Sequence, residues 1–268
     1  MKISFIGGGN MARAIISGLK NNGFEMSAIT VMELDAQKRL QLASEFNVLT
    51  TETYSDICQS EVIVLAIKPQ QLKEVCSHLH PLLHSQLIIS IAAGIRSVDI
   101  SRWLGNYPAI VRVMPNTPAQ IQAGVSALYA LEHVSSTQRD QATTILAAVG
   151  KILWLDDEAK MDAVTAISGS GPAYVFYMIE ALQEAAIGLG LTADDARILA
   201  LQTFAGASLL ATKSSDDIKT LRAQVTSKGG TTEQGILALE SADLKGIIMN
   251  AAKAAAEKSV LLGNQLAQ

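Results

Sequence analysis

The chain has 268 residues, 49% of them hydrophobic and 17% charged, with a formal net charge of −4 and a pI near 5.6; that is room for one large domain or two ordinary ones. The acidic balance and the lack of a long basic run give nucleic-acid binding no electrostatic support, and no segment is built to cross a bilayer: VIVLAI (62–67) is too short, and the stretch from Ala196 to Ala211 is broken by Arg197, Gln202 and Thr203. The apolar surplus is therefore expected in a large subunit interface, and the absence of a signal-peptide pattern points to the cytoplasm.

In chain order, KISFI (2–6) has the composition of a short buried strand, Gly7-Gly8-Gly9 follows, and a helical pattern runs from Asn10 to about Asn21. Ile29-Thr30-Val31-Met32 is a second strand, and Asp35 to Phe46 a helix. VIVLAI (62–67) is a third, buried strand by length and β-branching. Gln70 to Leu79 is helical again. Cys58 and Cys76, the two cysteines, lack the spacing of a disulfide framework or a zinc site, which suits a reducing compartment. Three of the four histidines crowd into HLHPLLH (78–84), read as a helix end with its loop, and no metal is expected there. Further strands are expected at 87–91, 109–113, 124–129 and 151–154. Alternation of strand and helix argues for a doubly wound parallel sheet with right-handed crossovers.

The character changes near residue 155. Beyond it lie only alanine-rich helical stretches, at 161–190, 194–213, 216–224, 231–241 and 243–262. Thr192 with Asp194 and Asp195, and Ser241-Ala242-Asp243, are helix starts. The expected organisation is an α/β domain over 1–155 and an all-helical dimerisation domain over 156–268.

Gly7-Gly8-Gly9-Asn10-Met11-Ala12 matches G-x-G-x-x-G/A between a strand and a helix. The first glycine allows the tight turn, the second lets backbone approach a pyrophosphate, and the small third position packs helix on strand. Three consecutive glycines are an expensive way to make a turn that holds nothing. Ile6, Gly7, Gly8, Gly9, Asn10 and Met11 are thus read as dinucleotide-binding. Glu33, at the end of the second strand, is placed to accept from the adenosine ribose hydroxyls and to repel a 2′-phosphate, which leans towards NADH over NADPH. Lys38 and Arg39 could bind that phosphate if they faced inward, but are read as lying on a solvated helix face. Ala66-Ile67-Lys68-Pro69 and Ala92-Ala93-Gly94 end strands on the same ligand edge, where small residues let a cofactor lie across. Asn116, in the rigid turn Pro115-Asn116-Thr117-Pro118, is assigned to the nicotinamide side.

A second glycine-rich turn, TSKGGTTEQG (226–235), opens onto a helical pattern, so backbone N–H groups and hydroxyls face the positive end of a helix dipole. That is a place for an anion; an ordinary N-cap threonine would serve the same spacing. Ser168-Gly169-Ser170-Gly171-Pro172 sits inside a helical region although glycine costs a helix about 1 kcal/mol per residue, which suggests close backbone approach.

FIGGGNMARAI, AIKP, SIAAGI, RVMPNTPA, DAVTAISGSGPAYVF and LRAQVTSKGGTTEQGILALE together resemble pyrroline-5-carboxylate reductase over nearly the whole chain. The resemblance implies hydride transfer from NADPH or NADH to the cyclic imine 1-pyrroline-5-carboxylate, giving proline. It implies that the loop cradles the substrate carboxylate, with contacts at Thr231 and Thr232, the loop shaped by Ser227, Gly229 and Gly230, and Thr232 reaching the ring nitrogen. It places Glu158 near substrate and nicotinamide. It also implies interleaved helical domains forming a homodimer, sometimes a higher assembly, in which the substrate loop of one subunit meets the cofactor of the other. The family often carries a small or hydroxyl residue where this chain has Glu33. Two rival readings stand beside it. A β-hydroxyacid dehydrogenase would carry a lysine shortly after the helical domain's glycine-rich stretch, and GSGPAYVFYMIEAL has none. A non-catalytic dinucleotide sensor would not need the TSKGGTT loop.

Overall fold

The computed structural model describes residues 1–267. Eight strands form one sheet: β1 (Ile3–Ile6), β2 (Ile29–Met32), β3 (Leu49–Thr51), β4 (Val62–Leu65), β5 (Leu87–Ser90), β6 (Ile110–Met114), β7 (Gly124–Ala130) and β8 (Gly150–Trp154), in the order β3-β2-β1-β4-β5-β6-β7-β8. The first six run parallel, and the reversal of order at β1 and β4 makes the switch point of a Rossmann-type sheet. β7 departs from the expected parallel run: it pairs antiparallel with β6, and β8 then follows β7 in parallel. The link from β6 to β7, residues 115–123, holds only a 3-10 turn at Thr117–Ile121. It is too short for a crossover, which takes about a dozen residues or more.

Among the described residues, twelve helices accompany the sheet. Those before residue 170 are α1 (Asn10–Asn21), α2 (Ala36–Phe46), α3 (Tyr54–Ile57), α4 (Pro69–Leu79), α5 (Ser97–Trp103), α6 (Ser136–Ala147) and α7 (Met161–Val164). β3, α3, α5 and α6 were not anticipated from sequence, although α6 starts at a full capping box between Ser135 and Gln138. Strand residues alternate between two cores, as period two requires. Ile3, Phe5, Val62, Val64, Leu87 and Ile89 pack with Ile15, Ile16, Leu19, Leu42, Phe46, Ile145 and Leu146 of α1, α2 and α6. Ile6, Ile63, Leu65 and Ile88 pack on the other face with Ile57, Leu72, Cys76, Leu79 and Ile100 of α3, α4 and α5.

The remaining helices are α8 (Gly171–Gly188), α9 (Ala193–Lys213), α10 (Ile218–Gln224), α11 (Thr231–Ser241) and α12 (Leu244–Leu266). Two compact units result, one of Met1–Ser170 together with the chain from Ala254 onward, the other Gly171–Lys253. The break thus falls later than the compositional change at 155. Within the first unit, the C-terminal half of α12 joins the segments around it. Ser259 Oγ donates to Asp162 Oδ1 at 2.6 Å, Arg96 bonds Asn264, Arg102 donates to the Ala267 carbonyl at 2.9 Å, and Leu266 packs on the second core. The Ser-Gly-Ser-Gly stretch is not regular helix: Thr165–Gly169 forms a π-helical turn between α7 and α8.

The second unit leaves much apolar surface uncovered. No residue of α8, α10 or α11 is buried, and Phe176, Tyr177, Leu189, Ile198, Ile218 and Met249 are each more than 60% exposed. Large apolar side chains exposed on several elements of one unit point to an association surface.

Burial pushes the Cys76 thiol up to about 12 from 9.0. The folded state holds it neutral, so the associated stability is complete below pH 9 and declines as pH rises towards 12, because the unfolded chain releases this proton first. Urea unfolding between pH 8 and 11 should show a shallower decline in Cys76→Ala than in the parent protein.

Candidate functional site

The cleft forms where β1, β2 and β4 end. Gly7 donates its N–H to the Met32 carbonyl at 2.9 Å. Its φ is +97°, and an added Cβ would stand 2.6 Å from the Ala66 carbonyl oxygen; both facts demand glycine. Gly9 caps α1 with extended backbone and no side-chain cap, and the space where its Cβ would project is open. The first amides of α1 are therefore left for an anion. This cradle fits a dinucleotide pyrophosphate.

The resulting cleft, about 310 Å³, is lined by Ile6, Gly7, Gly8, Gly9, Met32, Glu33, Leu34, Lys38, Tyr54, Ala66, Ile67, Lys68, Gln71 and Val75. Sequence reasoning anticipated Ile6, the three glycines, Glu33, Ala66, Ile67 and Lys68. It missed Met32, Leu34, Tyr54, Gln71 and Val75, and it placed Lys38 on the solvated face. Gln71 and Val75 stand four apart on one face of α4, a spacing that was available in the sequence. Tyr54 was not, because it follows the unrecognised β3; its ring stacks on His78 with centroids 5.4 Å apart. Burial, and then the charge of Glu74, push the Tyr54 hydroxyl up from its usual value.

Other expected cofactor residues lie outside this lining. Asn10 starts α1, Met11 packs on the first core, and Pro69 starts α4. Ala92 is buried in the second core, Ala93 follows it beyond β5, and Gly94 abuts Gly263 of α12. Asn116 binds its own surroundings, donating to the Ser168 carbonyl at 3.1 Å and accepting from Val125 N–H at 2.9 Å. Arg39 is not on a solvated face: Nη1 donates to the Glu33 and Leu34 carbonyls at 2.7 and 2.9 Å, and Nη2 pairs with Glu52 at 2.9 Å. Lys38 does face the cleft.

Glu158 occupies both its oxygens locally. Oε1 accepts from Ser97 N–H at 2.7 Å and Arg112 Nη1 at 2.9 Å, and Oε2 from the Ser97 hydroxyl at 2.6 Å. The Arg112 side chain is 5% exposed and that of Glu158 16%. Glu158 thus caps α5 and neutralises a cation inside β6, and the lone arginine in IVRVM was the signal for such a partner. Among the described residues no cluster of His, Cys, Asp or Glu is arranged to hold a metal ion.

In the helical unit, Gly230 is the N-cap of α11, and no side chain caps this helix. Thr231 and Thr232 are therefore its first two residues, so neither is the capping threonine that the spacing also allowed. Gly229, at φ +75°, makes the turn and donates to Glu233 Oε2 at 2.7 Å, while Gly230 donates to the Ser227 carbonyl at 3.0 Å. Among the described residues, the amides and hydroxyls of Thr231 and Thr232 have no partner. Both residues are exposed, so the loop presents a set of unused donors at a helix N-terminus.

A glycine cradle at the switch point, an acid at the end of β2 and a helical C-terminal segment define a Rossmann-type NAD(P)H-dependent oxidoreductase. Residues 2–94 match the family model described as NADP oxidoreductase coenzyme F420-dependent, and residues 158–262 the one described as pyrroline-5-carboxylate reductase dimerisation. A pyrroline-5-carboxylate reductase of Pseudomonas aeruginosa is 44% identical, aligned over 100% of this chain and 98% of its own length. A solved pyrroline-5-carboxylate reductase from Coxiella burnetii superposes with a TM-score of 0.94 at 42% identity, covering 97% of this chain and 98% of that one. The Plasmodium falciparum pyrroline carboxylate reductase with NADP bound gives 0.87 at 31% identity, covering 98% of each. The chain belongs to the pyrroline-5-carboxylate reductase family.

Removing one partner of a buried ion pair strands the other. Glu158→Ala should lower unfolding stability by roughly 3 kcal/mol, and the double variant Arg112→Met, Glu158→Leu should recover most of that loss in urea titrations.

Proposed function

We propose that this protein reduces 1-pyrroline-5-carboxylate to proline at the expense of NAD(P)H. The observation that carries the reading is the pairing, in one chain, of the glycine cradle at 7–9 with an uncapped helix N-terminus at Thr231 and Thr232 whose donors are unused. The membership of the family supports it. A sensor of dinucleotides has no need of the second feature.

Ile6 to Gly9, Glu33 and Ala66 to Lys68 hold the adenosine and pyrophosphate half of the cofactor. Asn10 and Met11 carry the same cradle into α1, and Pro69 starts the helix beyond Lys68. Ala92, Ala93, Gly94 and Asn116, which follow β5 and β6 on the same sheet edge, serve the nicotinamide half. Glu158 acts as a positioning residue, since it fixes Ser97 and so the segment leading from Gly94 into α5. When bound, the reduced nicotinamide supplies the hydride. The amides of Thr231 and Thr232 take the substrate carboxylate, on a loop shaped by Ser227, Gly229 and Gly230. That places the cyclic imine by its charged end, and orientation is most of what an activated imine requires. The Thr232 hydroxyl bonds the ring nitrogen. The nucleotide cradle belongs to the unit of residues 1–170 with the chain from Ala254 onward, and the substrate loop to Gly171–Lys253, whose exposed apolar helices are covered in a homodimer, with higher assembly of dimers built upon it. Two free thiols and a need for reduced nicotinamide suit the cytoplasm.

Purified protein mixed with 1-pyrroline-5-carboxylate should oxidise reduced nicotinamide, followed by its absorbance, only when the imine is present. Thr232→Ala should lower kcat/KM roughly tenfold to a hundredfold; unchanged turnover and substrate affinity would remove Thr232 from the mechanism.

A further inference from the structure

We propose that this protein selects NADH over NADPH, through a fixed and unneutralised Glu33 carboxylate combined with an Arg39 that is held out of the nucleotide cleft. The proposal rests on the reading above only in requiring that the cleft binds a nicotinamide dinucleotide.

Glu33 is pinned through both oxygens. Oε2 accepts from the Gly8 N–H at 3.2 Å and Oε1 from the Asp35 N–H at 3.2 Å. The first bond places the carboxylate on the glycine turn itself, and Glu33 is half-buried in the cleft lining. Among the described residues no lysine or arginine pairs with this carboxylate. Its charge is therefore neither swung away nor cancelled. Such a group accepts hydrogen bonds from vicinal ribose hydroxyls, and a phosphate on the 2′ oxygen meets it as a like charge.

A site for the 2′-phosphate would need a cation with free donors, and an arginine fork is the best suited. Arg39 lies in the first turn of α2, six residues beyond Glu33, the natural place for such a clamp. Its guanidinium is already divided between the Glu33 carbonyl, the Leu34 carbonyl and the Glu52 carboxylate. Its side chain is only 20% exposed, and it does not line the cleft. Recruiting it to a phosphate would break three polar contacts. Lys38 does line the cleft, but it is an exposed lysine on a flexible stem, hydrated and without a fixed geometry. The Asp35 carboxylate beside it, which caps α2 by accepting from Gln37 and Lys38 N–H, adds a second negative charge to the same loop.

Binding should be measured on the intact protein with no imine present, titrating NADH and NADPH against nicotinamide fluorescence. NADH should bind about tenfold more tightly or better, the scale of one charge-assisted hydrogen bond. Glu33→Gln should narrow the ratio, with the NADPH dissociation constant falling and that of NADH rising. Arg39→Ala should not weaken NADPH selectively. Equal or tighter binding of NADPH by the parent protein would overturn the proposal, as would an unchanged ratio in Glu33→Gln or a selective loss of NADPH affinity in Arg39→Ala. Selective NADH binding without imine reduction would leave the proposal standing and sink the reductase reading. Binding of neither nucleotide would sink both.

Discussion

The turn at Gly7 is the constraint on which the nucleotide site depends. β1 ends against β2 and β4, and the chain must leave the sheet at once to start α1. The Gly7 N–H bonds the last carbonyl of β2, its backbone takes a positive φ, and its α-carbon faces the Ala66 carbonyl without room for a methyl group. Because that turn is tight, the α1 amides, the end of β2 with Glu33 and the end of β4 with Ala66 to Lys68 converge on one cleft. The same convergence lets the Glu33 carboxylate reach the Gly8 amide. The cofactor cradle and the position of the Glu33 carboxylate are thus two consequences of one backbone conformation.

The helical segment works from the opposite principle. Its helices are regular, yet no residue of α8, α10 or α11 is fully buried within the chain. A fold that leaves Phe176, Tyr177 and Leu189 in water does not close its own core. The apolar excess of the composition is concentrated here, and the hydrophobic effect that stabilises this unit must come largely from association. Within it, α11 begins at a glycine rather than a capping side chain. Glycine in place of a capping side chain gives up only a few tenths of a kcal/mol of helix stability, and leaves the first amides of α11 without a side-chain partner.

Glu158 shows how a residue near chemistry in sequence terms can act through structure. Arg112 lies inside β6, where an unpaired guanidinium would be costly. Glu158 neutralises it and fastens Ser97 at the start of α5. This one carboxylate ties β6 to the start of α5.

The local parts of the protein were legible in the sequence by itself. These were the β1–turn–α1 unit, the acid closing β2, the buried run of β4, the helical second half and the glycine-rich opening of α11. Each is determined by neighbours a few residues away: hydrophobic period, glycine where φ must be positive or space is short, and helix-start chemistry. What needed tertiary structure was set by partners far along the chain. β3 is a half-exposed triplet that exists only by pairing with β2, so Tyr54 behind it could not be placed. The direction of β7 is a property of its pairing with β6, since alternation reads the same either way. Whether Arg39 turns to the cleft or to Glu52, and whether Glu158 meets a substrate or Arg112, depends on which charges folding brings within hydrogen-bond reach. Periodicity carries no information about that, because electrostatic pairing acts through space and not along the chain.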